Sequence, residues 1–337
     1  MSILHDPTTL PLAGGGQLNA DETDQCLSLV LEGRPLIQIK LERGKELRVA
    51  LRDPLARPDG RALWATAYWL FARDAACQRL IWSLPFTPHD ALRSGLLIAD
   101  ATPGHYRCER TLFWQLPQPW LGESFGDAYP QQMVITDGKC HPRRAPKARG
   151  EVYRRFDARL GAWVSLRTVE VERDVESFSR WQNNPRVLAF WQEGGTLQQH
   201  REYLGKLEAD PHTLTLIGCF DDEPFAYFEA YWAKEDRIAP FYDAGNHDRG
   251  IHMLVGEEHH RGEHKVASWL SALVHYLFLD DPRTQRIVAE PRADNQRMIQ
   301  HMHNQCFHCE KEFDFPHKRA ALMILGRERF FDLCSLR

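Results

Sequence analysis

The sequence lacks the features that would direct a protein to a membrane or to a nucleic acid. Its 337 residues include no run that approaches the roughly 18 consecutive apolar residues needed by a membrane-spanning helix. The formal net charge of −4 gives no excess of positive charge for binding nucleic acid or an anionic membrane. We therefore expect neither of these among the partners of the protein.

The sequence also shows neither the cysteine spacing of a disulfide framework nor the pattern of a secretory leader. The eight cysteines follow no spacing that is typical of disulfide-stabilised domains. The first residues, MSILHDPTTLPLAGGG, do not show the basic stretch followed by an apolar stretch that marks a leader. We expect reduced thiols and a cytoplasmic location.

The length and composition allow two globular domains. Hydrophobic residues make up 43% of the chain, which is enough for a core in each domain. Residues 137–150, DGKCHPRRAPKARG, are basic, contain prolines and glycines and show no apolar periodicity, as is typical of a linker. We therefore expect an N-terminal domain over 1–149, beginning with a loose or partly ordered arm to about residue 25, and a C-terminal domain over 150–337. A basic surface loop within one domain is the alternative for 137–150.

In the C-terminal half, two apolar strands each lead into a helix. GIHMLVG at 250–256 precedes EHKVASWLSALVHYLFL, and RIVAEP at 286–291 precedes DNQRMIQHMHN. From residue 150 the pattern predicts the order β-α-α-β-β-β-α-β-α-β, a mixed α/β layer, with Pro185 ending the first helix. Strands that lead into helices at their carboxyl ends form a cleft suited to anions.

The sequence also contains an internal repeat. Residues 268–313 and 63–113 share the order helix, buried strand ending in proline, short helix, strand. The matched dipeptides are Gln285-Arg286 with Gln78-Arg79 and Glu290-Pro291 with Leu84-Pro85. Only the later copy has a histidine on the strand before its long helix and an Asp-Asn pair after the proline. The earlier copy is therefore predicted to be a scaffold.

Several blocks of sequence carry a family resemblance: GEVYRRFD, RWQNNPRV, LIGCFDDEPFAYFE, DRGIHMLVGE, YLFLDDPRTQRIVAEPRADNQR and KEFDFPHKR. In these blocks the chain resembles GNAT-fold N-acyltransferases, and more narrowly the aerobactin-type N6-hydroxylysine acetyltransferases of siderophore biosynthesis. The resemblance implies an α/β GNAT fold (an α+β mixed sheet), with an N-terminal domain resembling a degenerate GNAT half.

The same resemblance implies a reaction. An acyl group would pass from acetyl-CoA, or from another short acyl-CoA, to the hydroxylamine nitrogen of an N-hydroxylated diamine or amino acid, giving a hydroxamate. A hydroxylamine nitrogen is less basic than an alkyl amine, so the enzyme would need positioning more than base strength.

The loop expected to hold the CoA pyrophosphate departs from the glycine-rich family pattern. Arg261 keeps the leading arginine, whereas His264 and Val266 stand where glycines are usual, and Cys306 replaces a further family glycine before Phe307. Backbone N–H groups at a helix N-terminus would still bind phosphate. The resemblance implies an acyl-CoA site formed by Leu254, Val255, Gly256, Arg261, Gly262, Glu263, His264, Lys265, Val266 and Asn295.

His252 and Asp294 are the candidate catalytic residues. On its strand, His252 shares a face with Leu254, where the imidazole would hydrogen-bond the substrate and accept a proton near neutrality. A core histidine bonded to a backbone carbonyl is the alternative. Asp294 follows the next strand, where it would act as a base or orient the hydroxylamine, or would cap the helix that begins there.

Four further residues are candidates for binding the acceptor. Arg249 is suited to a substrate carboxylate, although a solvated turn explains it equally well. Tyr227 and Glu229 on one strand, and Trp191 after a helix, would line the acceptor pocket, with core packing as the alternative.

We expect no metal, because the group HMHNQCFHC at 301–309 lacks a second ligand pair at a defined distance. The expected partners are acyl-CoA and a small N-hydroxylated amine, and a homo-oligomer is left open. Two alternative functions are also left open. One is a GNAT enzyme that acetylates an ordinary amine, such as a protein N-terminus or an aminoglycoside, and the other is a non-catalytic acyl-CoA-binding protein.

Overall fold

The computed structural model describes residues 8–122, 129–333 and 336. The strands and helices of the first part are β1 (Thr9–Pro11), β2 (Gln17–Glu22), β3 (Cys26–Leu31), β4 (Arg34–Glu42), β5 (Leu47–Leu51), α1 (Gly60–Arg73), β6 (Arg79–Ser83), α2 (His89–Arg93), β7 (Ile98–Ala99), β8 (His105–Glu109) and α3 (Arg110–Phe113). β1 and β2 pair as an antiparallel hairpin, so the described residues of the arm expected up to residue 25 are ordered and not loose. Residues 1–7 of that arm lie outside the description.

The second part contains β9 (Met133–Thr136), β10 (Lys139–Pro142), β11 (Glu151–Asp157), β12 (Ala162–Thr168), α4 (Val171–Gln182), α5 (Pro185–Trp191), α6 (Leu197–Ala209), β13 (Thr213–Phe220), β14 (Glu223–Trp232), β15 (Arg249–Val255), α7 (Glu263–Asp280), β16 (Arg286–Ala289), α8 (Gln296–Asn304), β17 (His308–Phe315), β18 (Lys318–Gly326) and α9 (Arg327–Leu333). Among the described residues, no helix combines the length and apolarity needed to cross a membrane.

The strands form two eight-stranded sheets with the same order. The first runs β1-β2-β3-β4-β5-β6-β8-β7 and the second β11-β12-β13-β14-β15-β16-β18-β17. In each sheet the fifth and sixth strands are parallel, and a long helix, α1 or α7, connects them. This correspondence confirms the internal repeat that the sequence predicts.

The chain divides into two compact units over its described residues. One comprises Met1–Trp120, Arg155–Ala162 and Ser335–Arg337, and the other comprises Leu121–Arg154 and Trp163–Cys334. Residues 137–150, predicted as a linker, pack within the second unit. Lys139–Pro142 is a strand there, and the Lys147 ammonium donates to the Leu207 carbonyl at 2.7 Å. The predicted division at residue 149 therefore differs from the division into units.

Local sequence explains two of the connections near the site. The hairpin of β13 and β14 turns on Asp221 and Asp222, both with positive φ, as a tight two-residue turn requires. Pro185 does not end α4, as expected, but begins α5. The side chain of Asn184 caps that helix by accepting from the Arg186 N–H at 3.0 Å.

Gly256, just after β15, lies directly beneath the indole of Trp181. A Cβ at this position would lie 2.1 Å from Trp181 Cγ. The indole is itself fixed, because its Nε1 donates to Glu257 at 2.8 Å and its ring packs in the buried cluster between α4 and the sheet. Gly256 therefore allows the close packing of α4 on the chain that leaves β15.

We expect Gly256→Ala to lower the free energy of unfolding by about 1–3 kcal/mol, because the added methyl group overpacks this contact. Urea denaturation followed by circular dichroism would measure the change. Gly205→Ala is the control, since nothing lies within 4 Å of a Cβ at that position in α6. That variant should gain roughly 0.5–1 kcal/mol from its higher helix propensity. Equal stability of the Gly256→Ala variant and the wild type would contradict the prediction.

Candidate active site

The parallel strands β15 and β16 separate soon after they begin. They pair only at Arg249 with Ile287 and at Gly250 with Val288. β15 continues to Val255 alongside β14, whereas β16 ends at Ala289. One edge of residues 251–255 is therefore left without a strand partner in the described chain. The first sheet differs here, because β5 and β6 stay paired over four positions.

The open edge of β15 presents backbone hydrogen-bonding groups. At one end of β15 the Asp248 carbonyl accepts from the Ala233 N–H, and at the other end the Gly256 N–H donates to the Phe225 carbonyl. Both bonds point toward β14. Because this direction alternates along an antiparallel pair, Ile251, Met253 and Val255 direct their N–H and C=O groups away from β14. The parallel pairing of Gly250 with Val288 uses the Ile251 N–H, and the Val255 carbonyl accepts from the Arg186 guanidinium at 2.9 Å. The Ile251 carbonyl, both groups of Met253 and the Val255 N–H remain at the open edge. An extended chain that contains amides can bind to such an edge.

His252 lies between two buried carboxylates at this opening. Its Nδ1 is 2.7 Å from Glu229 Oε2 and its Nε2 is 2.7 Å from Glu290 Oε1. Glu229 is the cross-strand partner of His252 on β14, and Glu290 is the first residue after β16. Both glutamates are at most 5% exposed, whereas the imidazole side chain is 22% exposed. We call Glu229, His252 and Glu290 the carboxylate clamp.

Three tyrosines hold the two carboxylates in place. The hydroxyl groups of Tyr203 and Tyr227 donate to Glu229 Oε1 at 2.6 and 2.9 Å. The hydroxyl of Tyr231 donates to Glu290 Oε2 at 2.7 Å. Every carboxylate oxygen of the clamp therefore accepts at least one hydrogen bond, as burial of a charge requires.

Gly250 makes room for one of these tyrosines. A Cβ on Gly250 would lie 1.9 Å from Cε2 and 2.5 Å from the hydroxyl of Tyr231. A side chain here would push the phenol away from Glu290. Glycine therefore allows the Tyr231 ring to cross β15 and reach the clamp.

The clamp fixes the protonation of its members. Burial favours a neutral imidazole, but the charge of Glu290 and the hydrogen bonds with both glutamates outweigh it and raise the pKa of His252 to about 10. Burial also acts to raise the pKa of Glu290, yet the charge of His252 lowers that pKa to about 2. At neutral pH both ring nitrogens of His252 therefore carry protons, and neither is free to accept another. The expected proton acceptance by His252 does not fit this geometry.

Asp294 lies apart from the clamp. Its side chain is 63% exposed and pairs with the Arg292 guanidinium at 2.6 Å, which lowers the pKa of Asp294. The same guanidinium donates to the carbonyl of Ala189 in α5 at 3.2 Å. The helix cap suggested for Asp294 is wrong, because Asn295 caps α8 by accepting from the Met298 N–H. A catalytic role for Asp294 remains a prediction.

The segment expected to bind the CoA pyrophosphate has the geometry of an exposed helix start. Gly262 is the N-cap of α7, with a φ of 128° and no capping side chain. The first N–H groups of α7, on Glu263, His264 and Lys265, therefore lack a capping partner in the described structure. Lys265 reaches back to the His259 carbonyl at 3.0 Å. Val266 is buried, and its N–H continues the helix by bonding to Gly262.

The remaining predicted positions divide between the core and the site. Leu254 is 2% exposed and packs in the same buried cluster as Tyr227, so its side chain does not face the open edge. Arg249 is also 2% exposed and donates to Asp280 at 2.8 Å, so it is not placed to meet a substrate carboxylate. Trp191 is partly buried, with its ring centroid 6.3 Å from that of His252.

One family glycine has a clear conformational replacement. Cys306 adopts a φ of 69°, the left-handed conformation that glycine ordinarily supplies at the end of a helix. The chain therefore keeps the backbone geometry of the α8 terminus although it lacks the glycine.

Two groups of described side chains have ligand atoms close enough to bind a metal ion. One is His141, His212 and Glu235, and the other is Glu223, His259 and His260. In each group a cation already occupies ligand atoms. The guanidinium of Arg144 binds both oxygens of Glu235, and the ammonium of Lys265 lies 2.9 Å from His260 Nδ1. Neither group includes a member of the carboxylate clamp.

Glu290 is the functional candidate that the sequence interpretation missed. The sequence pattern places it only in a strand that ends in proline, although the sequence contains a signal for a functional role. A glutamate directly between an apolar strand, RIVA, and a proline is poorly placed to reach solvent, and a buried carboxylate needs a partner. That reasoning would have marked it as a candidate without identifying the partner.

Comparison with known proteins identifies the fold that contains this site. Residues 170–315 match the family model of the acetyltransferase (GNAT) domain. The chain is 45% identical over 223 residues to an N6-hydroxylysine O-acetyltransferase of Escherichia coli, a match that covers 66% of this chain and 70% of that protein. It is 48% identical over 217 residues to an N5-hydroxyornithine:cis-anhydromevalonyl coenzyme A N5-transacylase of Beauveria bassiana, a match that covers 63% of this chain and 47% of that protein.

A solved structure shows the same architecture. An uncharacterised protein of Bacillus halodurans superimposes with a TM-score of 0.53 at 29% identity, covering 55% of this chain and 96% of its own. Together with the repeated strand order, these likenesses confirm the expected mixed α/β GNAT fold with two related halves.

We expect the pKa of His252 to be about 10, and replacement of Glu229 by Gln to lower it, because one of the two negative charges is removed. An NMR titration of the ring resonances would measure both values, with His252→Asn for assignment. His301 provides a reference in the same spectra, since burial lowers the pKa of that residue. The stability contributed by the raised pKa should be complete below about pH 6.5 and lost as the pH rises through about 10. A His252 resonance that titrates at or below pH 6.5 would contradict the carboxylate clamp.

Proposed function

Because this chain belongs to the GNAT-fold acyltransferase family that includes the N6-hydroxylysine acetyltransferases, we propose that it acylates the hydroxylamine nitrogen of a small N-hydroxylated amine. The acyl donor is acetyl-CoA or another short acyl-CoA, and the product is a hydroxamate of the kind used in siderophores. The carboxylate clamp at the opening between β15 and β16 is the observation that carries this proposal.

The opening and the start of α7 suit a CoA thioester. The pantetheine amides would bind the open edge of β15, chiefly at the N–H and C=O groups of Met253. The pyrophosphate would lie at the N-terminus of α7, where backbone N–H groups and the helix dipole favour an anion. Arg261 and Lys265 add positive charge close to this end.

Within the clamp, Glu290 is the group suited to accept the proton. The nitrogen lone pair attacks the thioester carbonyl carbon, the C–N bond forms and the C–S bond breaks. The nitrogen transfers one proton to the Glu290 carboxylate, and the departing thiolate takes up one proton from solvent. Glu290 then returns its proton to solvent, so that atoms and charge balance over the cycle. As a carboxylate oxygen can accept a second hydrogen bond, Glu290 can receive the substrate N–H while it stays bonded to His252.

A strong base is not needed for this acceptor. An ordinary lysine ammonium has a pKa near 10.4 and must first lose a proton. A hydroxylamine nitrogen is much less basic, so it is neutral at the start of the reaction. The low pKa of Glu290 therefore matches a hydroxylated nitrogen better than an ordinary amine.

The relatives' names differ in the atom that receives the acyl group, which is oxygen in one and N5 in the other. We propose the nitrogen, since a carboxylate as weakly basic as Glu290 is poorly suited to deprotonate a hydroxyl group. We also propose a cytoplasmic location, which the free thiols of the seven described cysteines support.

We expect Glu290→Gln to reduce kcat by roughly 10²–10⁴-fold, because the amide cannot accept the proton. Asp294→Asn is the matched comparison and should lose far less, since Asp294 is exposed and paired with Arg292. Release of the CoA thiol, followed with a thiol reagent, measures both variants. If Asp294→Asn loses as much as Glu290→Gln, the proton acceptor assigned here is wrong.

Incubation with acetyl-CoA should convert N6-hydroxylysine to a hydroxamate and leave lysine essentially unchanged, because only the hydroxylated nitrogen is neutral at pH 7. The ferric complex of the product gives a visible colour that an O-acetyl ester does not, and mass spectrometry counts the acyl groups. Acetylation of lysine at the same rate would indicate an ordinary amine acetyltransferase. If the protein binds acetyl-CoA but releases no CoA thiol with every hydroxylated amine tested, it is a non-catalytic binding protein.

A further inference from the structure

Arg237 stands out among the arginines near the clamp because its guanidinium makes no hydrogen bond to any described residue. It lies in the turn after β14 and is 52% exposed. Its Nη2 is 3.9 Å from Glu290 Oε1, which is beyond hydrogen-bond range. By contrast, Arg249 and Arg292 are each paired with an aspartate, at 2.8 and 2.6 Å.

The position of Arg237 is nonetheless defined. Its guanidinium carbon lies over the Phe315 ring, 5.3 Å from the centroid. The ammonium of Lys318 also lies over Phe315, at 5.5 Å, and donates to the Glu290 carbonyl at 2.7 Å. The two cations therefore share one aromatic support beside the proposed proton acceptor.

Glu290 pairs with Arg237 by charge at 3.9 Å but accepts no hydrogen bond from it. One Glu290 oxygen accepts from His252 and the other from Tyr231, both at 2.7 Å. The nearby carboxylate of Asp236 is also used locally, since it accepts from the N–H of Ile238 at 2.9 Å. The guanidinium thus keeps its donors available, in a fork that fits a carboxylate.

The charges around this corner permit an anion. The clamp carries one positive and two negative charges, Asp236 adds one negative charge, and Arg237 and Lys318 add two positive charges. These formal charges sum to zero, so the corner carries no net negative charge to oppose a ligand carboxylate. His317, stacked on Phe315, leaves the balance unchanged when it is neutral.

We propose that Arg237 and Lys318, supported by Phe315, form a carboxylate-binding corner of the active site. This inference rests on the proposed function, and it makes the enzyme selective for a substrate that carries a carboxylate. Either substrate can supply that group. The acceptor supplies it as the α-carboxylate of a hydroxylated amino acid, and the donor supplies it at the end of a dicarboxylic acyl chain such as succinyl.

The test compares Arg237→Gln with wild type on substrates that differ in one carboxylate. N6-hydroxylysine and N-hydroxycadaverine differ in this way as acceptors, with acetyl-CoA as donor. Succinyl-CoA and butyryl-CoA are matched in chain length as donors. Arg319→Gln is the control, because Arg319 is 59% exposed and is already paired with Glu312 and Asp314 on the surface.

We expect Arg237→Gln to lower kcat/KM by about 10–100-fold for the substrate that carries the carboxylate, mainly through KM, and to leave its matched partner nearly unchanged. Arg237→Lys should recover part of the loss, because it keeps the charge without the fork. Selective loss with N6-hydroxylysine assigns the corner to the acceptor, and selective loss with succinyl-CoA assigns it to the donor.

Two results would overturn the carboxylate corner while leaving the proposed function in place. One is equal use of both members of each pair by the wild type, and the other is a uniform fall in kcat across all substrates in Arg237→Gln. Wild-type enzyme that converts none of the hydroxylated amines would instead overturn the proposed function, and the corner with it.

Discussion

The ion pairs of His252 with Glu229 and Glu290 are the interaction on which the site depends. Two carboxylates that lie almost wholly inside the protein are tolerated because an imidazolium lies between them, 2.7 Å from each. Breaking such a buried pair costs about 3–5 kcal/mol, because a charge is left without a partner. The register of β14 with β15, and the end of β16 at Ala289, bring the three side chains together.

The same interaction limits the chemistry. An imidazolium held by two carboxylates gives up its proton only at high pH, so it stabilises charge instead of accepting a proton. The proposed proton acceptor, Glu290, is a weak carboxylate base. A weak base suits a nucleophile that is already neutral and becomes acidic only as its new bond forms. The electrostatics of the clamp therefore favour a hydroxylated nitrogen over a lysine ammonium without any direct contact to the hydroxyl group.

Sequence reasoning found the strands of the site but not their register. His252 and Glu229 were both predicted as site residues, yet their pairing depends on which residues of β14 and β15 lie opposite each other, and alternation alone does not fix this. Arg249 was misjudged because its burial against Trp232 arises from tertiary packing, with the guanidinium 4.1 Å from the ring. The position of Asp294 before a helix predicts a cap, but Asn295 caps that helix.

The repeat explains why only one half carries the chemistry. When the two sheets are aligned so that the pair Leu47–Leu80 corresponds to Arg249–Ile287, Ala50 corresponds to His252. The cross-strand partner of Ala50 is Lys40, where β14 has Glu229. Leu84 precedes Pro85 in the first half, at the place where Glu290 precedes Pro291 in the second half. β5 and β6 stay paired to Ala50–Ser83, and that ladder occupies the backbone edge that remains open on β15. The first half therefore lacks both the clamp and the opening at the matched positions, whereas the second half has the two together.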